Sequence, residues 1–212
     1  MTSISKETLK RLPKYLRYLI NLDKEGQEYA SSRVIANHFN WSAVGVRKDL
    51  ASIASSCGQP KKGFLVKSLI DDINRYMGLS NHKQVILVGV GKLGQALLGY
   101  TSFKKFGLEI IAAFDSNSPL IGQKFLDKPI FSMSMLETVV KKMDVKIAIV
   151  TVPKESAQDV VDQLVAVGIK GIWNFAPIQI NVENDVVVKS EDMAASLAIL
   201  SQRVFTNTEK NS

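Results

Sequence analysis

The sequence predicts an α/β chain of two modules: a small basic helical module closed by a hairpin, then a parallel-sheet module. Three observations carry this expectation. Residues 1–82 hold 13 Lys/Arg against 7 Asp/Glu, whereas residues 83–212 are nearly balanced at 14 against 13. Near residue 80 the hydrophobic pattern changes from spacings of three and four to short apolar runs alternating with helical segments. The run Gly89-Val-Gly-Lys-Leu-Gly94 stands between the first such apolar run and the helical segment after it.

In the first module, Ser5 to Leu22 places Leu9, Leu12, Leu16, Leu19 and Ile20 at helical spacing among Lys6, Lys10, Arg11, Lys14 and Arg17. This predicts an amphipathic helix with a basic face. After Asp23-Lys-Glu-Gly26, Ser31 or Ser32 can cap a short helix through Val34, Ile35, Ala36 and Phe39 that stops at Asn37-His-Phe-Asn40. Ser42 then caps a third helix, Ala43 to about Ser55, with Val46, Leu50 and Ile53 inward and Arg47, Lys48 and Ser52 facing elsewhere. Gly58-Gln-Pro-Lys-Lys-Gly63 followed by Phe64-Leu-Val66 reads as a tight basic turn between short strands. Three helices and a hairpin are the order of a winged helix-turn-helix, whose last helix enters the major groove. The surplus of cations agrees with a phosphate-binding partner. Ser42, Arg47 and Lys48 on the third helix, with Lys61 and Lys62 on the wing, are the candidate DNA-binding residues.

A helix from Ser68 to Met77 closes this module, expected to span residues 1–80, and Gly78-Leu-Ser-Asn-His82 is polar enough for a hinge. Beyond it come a buried strand at Val85–Val88, a helix from Lys92 to Tyr100 and a strand from Leu108 to Phe114, followed by helix and strand in turn. Ile147–Val152 and Ile169–Asn174 are further strands, separated by a helix from Glu155 to Val167, with a last strand at Val186–Val188. Such alternation means a parallel sheet, here a Rossmann domain expected over residues 81–190. A final helix, Glu191 to Phe205, is apolar over more than one face through Ala195, Leu197, Ile199, Leu200 and Val204, and so wants a partner. Residues 191–206 are set apart as that segment, and Thr206 to Ser212 is expected to fray.

The glycine run has the context of a dinucleotide fingerprint. Gly89 allows the tight turn, Gly91 lets a pyrophosphate approach the backbone, and Gly94 lets helix and strand pack closely, while the helix start at Lys92 and Leu93 supplies amide donors. Asp115 ends the next strand 21 residues after Gly94, where a carboxylate accepts ribose hydroxyls and repels a 2′-phosphate. The expected cofactor is NAD(H) in preference to NADP(H).

Other classes find little support. The 46% hydrophobic and 22% charged composition is that of a soluble protein, with no apolar run near the ~20 residues of a membrane span. The N-terminus does not read as a secretion signal, and the single cysteine, Cys57, agrees with a reducing compartment, so the chain is expected in the cytoplasm. Cys57 and two histidines show no metal-ligand spacing, and no metal is expected. His38 and His82 precede the fingerprint and read as surface or packing residues, not as proton-transfer groups. Tyr100-Thr-Ser-Phe-Lys104 matches the Tyr-x-x-x-Lys pair of short-chain dehydrogenases but lies too near Gly94 for that active site. No catalytic residue is assigned. A small NAD-dependent oxidoreductase with a basic accessory domain, and a CoA- or nucleotide-binding interaction protein, stand as the alternatives to a DNA-binding sensor.

Taken in order, Ile4–Tyr18, Val46-Arg-Lys-Asp-Leu50, Val88–Gly94, Ala112-Ala-Phe-Asp115, Thr151-Val-Pro153 and Gly168–Pro177 resemble the redox-sensing transcriptional repressor family Rex over nearly the whole chain. The resemblance implies a homodimer that represses on operator DNA when NAD+ prevails and releases it when NADH binds. It implies a cofactor site that includes, besides Gly89, Val90, Gly91, Lys92, Leu93, Gly94 and Asp115, the stretches Thr151, Val152, Pro153 and Asn174, Phe175, Ala176, Pro177. It also implies a domain-swapped final helix and a switch network of Arg17, Tyr100 and Asp192, in which the arginine pairs with the aspartate in one state and the tyrosine replaces it in the other. Two departures stand out: Ala51–Pro60 lacks the aromatic, glycine-rich run common in the family, and Met193 replaces an aromatic found in some relatives.

Overall fold

The computed structural model describes residues 4–79, 83–183 and 185–209, in two compact units, 1–81 and 82–212. His82 and most of the expected hinge lie outside the described residues.

In the first unit α1 (Lys6–Lys24) starts at Ser5, whose hydroxyl accepts from the Thr8 amide at 3.0 Å. Its Leu12, Tyr15, Leu16 and Leu19, at spacings of three and four, are fully buried, and the helix packs against α4 (Val66–Met77). Ser31, the first of the two serines considered, caps α2 (Ser32–Phe39), which ends at Asn40 in the left-handed conformation. Ser42 caps α3 (Ala43–Ala51), which buries Val46 and Leu50.

Two expectations are corrected here. The third helix ends at Ala51, about a turn before Ser55, and Ile53 falls in the turn after it. The Ser52 hydroxyl donates to the Asp49 carbonyl at 2.6 Å, and Asp72 of α4 takes both the amide and the hydroxyl of Ser55 at 2.8 and 3.0 Å. Serines that bond locally in this way compete with helix continuation. The wing strand is also different. β2 (Phe64–Leu65) pairs antiparallel with β1 (Tyr29–Ala30), and Val66 opens α4 instead of extending the strand. Gln59 and Gly63 exchange backbone bonds of 2.7 and 2.9 Å, so the turn is closed by a bridge, with Lys61 at its tip at φ 66°.

The second unit is a seven-stranded sheet, running from edge to edge β5 (Lys124–Phe125), β6 (Lys128–Ser132), β4 (Leu108–Asp115), β3 (Lys83–Val88), β7 (Ile147–Val150), β8 (Gly171–Asn174) and β9 (Val187–Ser190). All neighbours are parallel except β5 and β6. Taken without β5, this is the doubly wound order, with its reversal point between β3 and β7. One face buries Ile86, Ala148 and Val150 under α6 (Leu136–Met143) and α7 (Lys154–Ala166); the other buries Val85, Leu87 and Ile149 with Leu98 of α5 (Lys92–Leu98). Several expected boundaries move. α5 stops at Leu98 and Tyr100 caps a 3-10 turn, β7 ends at Val150, and β8 and β9 begin two and one residues later than expected.

The last helix, α8 (Met193–Glu209), begins after Asp192, not at Glu191. Asp192 Oδ1 accepts from the Ala195 amide at 2.8 Å, the bond of an N-cap. Leu197, Ile199, Leu200 and Phe205 on it are each more than half exposed.

Candidate functional site

The carboxyl ends of four neighbouring strands converge where the strand order reverses, the place where ligands bind in open parallel sheets. After β3, Gly89 adopts φ 99°, and a Cβ there would lie 2.8 Å from the Thr151 carbonyl oxygen. A Cβ on Gly94 would stand 2.0 Å from the Gly89 oxygen, so helix α5 approaches the turn as closely as backbone allows. Gly91 differs: its backbone is extended and a Cβ would meet nothing within 4 Å. The fold requires Gly89 and Gly94, whereas the space over Gly91 is open on the ligand side. That is the opening a pyrophosphate needs.

Two side chains fix this turn. Asp115, at the end of β4, accepts from the Val90 amide at 2.6 Å through one oxygen and from the Asn117 amide at 2.7 Å through the other. Thr151, just past β7, donates its hydroxyl toward the Gly89 carbonyl at 2.7 Å and the Val88 carbonyl at 3.1 Å. Val152 is half-buried beside Gly89, and Pro153 is exposed at the start of α7.

The loop after β8 is organised from inside. Asn174 is fully buried; its amide donates to the Ala176 and Ile178 carbonyls at 3.0 and 3.3 Å and to the Ser190 hydroxyl at 3.3 Å, while its oxygen accepts from the Ala176 amide at 2.9 Å. Its carbonyl takes the Glu191 amide at 2.8 Å. Ala176 and Val90 are buried as well, so these three shape the crevice wall from behind. Phe175 is half-buried, and Lys92, Pro177 and Gly91 are exposed, with Leu93 between. The Trp173 indole donates to Glu191 at 3.2 Å, and Lys189 joins them, holding the Glu191 carboxyl below its usual range. Tyr100 is 51% exposed and leads an aromatic series, edge-to-face through Phe103 to Trp173 and tilted from Trp173 to Phe175. Neither this aromatic series nor the Asn174 bonding could be read from spacing.

In the first unit Arg47 and Lys48 are exposed on α3, with Ser42 at its start. A concave space of about 850 Å³ lies between α3, the start of α2 and the wing, lined by Arg33, Arg47, Lys61, Ser31 and Gln59 among others. Lys62 lies 5.1 Å over the ring of Tyr29, and Lys61 is exposed at the tip of the turn. His38 is stacked 4.0 Å from Tyr18, and Arg17 is exposed on α1. Among the described residues no cluster of His, Cys, Asp and Glu could hold a metal ion, and no helix is long and apolar enough to cross a membrane.

A family model described as "CoA binding domain" matches residues 80–178, and one described as "Putative DNA-binding protein N-terminus" matches residues 3–51. A redox-sensing transcriptional repressor Rex of Treponema denticola is 42% identical over 203 residues, 96% of this chain and 95% of the relative. The chain belongs to the Rex family. A Rex of Bacteroides fragilis is 38% identical, over 97% of this chain and 93% of its own. Among solved structures, the Rex-family repressor RSP in complex with β-NAD+ and operator DNA superposes with a TM-score of 0.91 at 34% identity, over all of this chain and 97% of that one. RSP in complex with β-NADH gives a TM-score of 0.86 at 33% identity, over all of this chain and 98% of that one.

Proposed function

We propose that this chain is a redox-sensing transcriptional repressor, a regulator and not an enzyme, that holds operator DNA and is released by NADH. The observation that carries the reading is that one chain joins a basic winged helix to a dinucleotide turn open at Gly91 and bounded by Asp115. Arg47 and Lys48, with Ser42 at the helix start, are assigned to the major groove, and Lys61 and Lys62 to phosphates or the minor groove. The fingerprint residues 89–94, with Asp115, Thr151–Pro153 and Asn174–Pro177, are assigned to NAD(H), with the buried Val90, Asn174 and Ala176 acting from behind. Bound there, the nicotinamide supplies a redox state that the protein senses without hydride transfer. The domains are taken as residues 1–80, 81–190 and 191–206, in the cytoplasm.

The exposed apolar side chains of α8 support a homodimer with this helix swapped onto the partner, since a monomer seldom leaves such a surface in water. Arg17, Tyr100 and Asp192 are assigned to the switch. The CoA description is less favourable for the ligand, because coenzyme A carries a ribose phosphate that the Asp115 carboxylate would repel.

The test uses an operator that the protein itself selects from random duplexes. At fixed total cofactor, operator affinity is expected to fall as the NADH share rises, with no hydride transfer to a panel of carbonyl compounds and no effect of coenzyme A. Affinity independent of the ratio overturns the reading.

A further inference from the structure

In the basic unit, the acidic side chains buried among the described residues are Asp49, at 8% exposure, and Asp72, at 3%. Asp72 fastens the segment after α3. Asp49 stands inside α3, next to Lys48 and two residues from Arg47. A negative charge at that place opposes the approach of phosphates, so a DNA-reading helix carries it at a cost.

Helix α1 turns this charge to another use. Thr8 Oγ1 donates to one Asp49 oxygen at 2.9 Å; Tyr15 Oη and Arg11 Nη1 donate to the other at 2.7 and 3.1 Å. These donors recur at spacings of three and four on one side of α1, so three successive turns converge on one carboxylate. Thr8 is also bonded to Ser5, which caps α1, at 2.8 Å. Burial, with the bond to Asp49, pushes the Tyr15 phenol well above its usual range, so it stays a donor, and the same carboxylate holds Arg11 charged. At the other end of α3, Arg11 lies 5.1 Å from the centre of the Trp41 ring, and Tyr15 meets that ring edge-on at 5.6 Å. Trp41 immediately precedes the cap Ser42. Both ends of the reading helix are therefore tied to the same face of α1.

We infer that Asp49 is a positioning residue for sequence reading: held by Thr8, Arg11 and Tyr15, it fixes the rotation of α3 and so aims Arg47 and Lys48 at base edges. The inference rests on the operator-binding reading above. Base-edge contacts need placement within about 0.5 Å and 10–20°. Phosphate contacts give affinity without sequence information. Loss of the carboxylate should therefore reduce discrimination more than affinity.

The experiment compares the full chain with Asp49→Asn on its selected operator and on a scrambled duplex of equal length, at one salt concentration, with thermal melting alongside. The expected result is an operator affinity lower by about tenfold or more, with scrambled-duplex affinity unchanged or raised by the lost negative charge. A folded variant with an unchanged operator-to-scrambled ratio overturns the inference, as does a parallel rise on both duplexes, which would make Asp49 a charge and nothing more. Should Asp49→Asn fail to fold, Thr8→Val and Tyr15→Phe each remove one donor, and the ratio should fall less but in the same direction. If it is unchanged in both, Asp49 does not position α3. A parent chain that prefers no duplex defeats the operator-binding reading itself, and this inference with it; a discriminating parent whose variants discriminate equally defeats the inference alone.

Discussion

The Asp115 carboxylate accepts a 2.6 Å hydrogen bond from the amide of Val90, the residue between the first two glycines of the fingerprint. The strand-end acid thus holds the glycine turn from within, and the proposed NAD(H) reading gives it a second role toward ribose hydroxyls. Asp115→Ala removes both functions together with the charge that repels a 2′-phosphate. NADH affinity should fall by about 1.5–3 kcal/mol, the range for hydrogen bonds to charged groups, and the preference over NADPH should narrow. Calorimetry with both cofactors checks this. An unchanged NADH-to-NADPH ratio rules out the ribose role.

The glycines separate fold from ligand. At Gly91 a Cβ would meet nothing within 4 Å, so Gly91→Val should melt like the parent, keep operator binding and lose NADH binding. At Gly94 even a methyl group would stand 2.0 Å from the Gly89 oxygen, so Gly94→Ala should lower the melting temperature whether or not cofactor is present. Normal NADH binding by Gly91→Val would place the pyrophosphate elsewhere.

The helix and wing cations should differ in kind. If Arg47 makes a bidentate guanine contact, Arg47→Ala should cost about 1–3 kcal/mol on the operator and relax specificity at one position. Neutralising Lys61 and Lys62 should instead flatten the salt dependence by up to about two phosphate contacts. The cation–π contact of Lys62 with Tyr29 favours a larger share from Lys61. Titrations at several salt concentrations distinguish these outcomes.

What the sequence revealed of this molecule is what its chemistry encodes locally. The glycine spacing, the serine caps at positions 31 and 42 and the strand ending in Asp115 each depend on neighbours within one turn or one loop. Asp49 was invisible because its donors lie 34 to 41 residues away, and the β1 partner of the wing strand is similarly distant. The early end of α3 depends on a partner that is likewise remote, since Asp72, which holds Ser55, comes 17 residues later. Asn174 belongs to both groups: its motif is legible, but full burial makes it a brace and not a lining residue.

Helix α8 offers a test of assembly that leaves the sheet untouched. Leu197 and Leu200 are 66% and 57% exposed, so Leu197→Glu with Leu200→Glu should cost the isolated chain little folding stability. On a partner subunit the same charges would have to be buried, which is unfavourable. Sedimentation should show the parent as a dimer and the variant as a monomer with lower operator affinity. A variant that stays dimeric would mean that α8 is not the interface.

The assigned switch residue Asp192 carries two functions that must be separated before its coupling can be measured. Its Oδ1 caps α8 through the Ala195 amide at 2.8 Å, so Asp192→Ala removes a cap worth about 0.5–2 kcal/mol as well as a charge. Asp192→Asn keeps an oxygen for the cap and removes only the charge. If a charge-assisted contact between Arg17 and Asp192 biases the two states, both variants should bind NADH within a few-fold of the parent yet lose much of the NADH effect on operator affinity. Coupling depends on the difference in contacts between states and not on either binding site alone, so intact NADH binding beside lost release is the diagnostic pair. If Asp192→Asn responds like the parent while Asp192→Ala does not, the helix cap and not the ion pair carries the effect. If both respond as fully as the parent, measured by operator affinity with and without saturating NADH, Asp192 has no part in the switch.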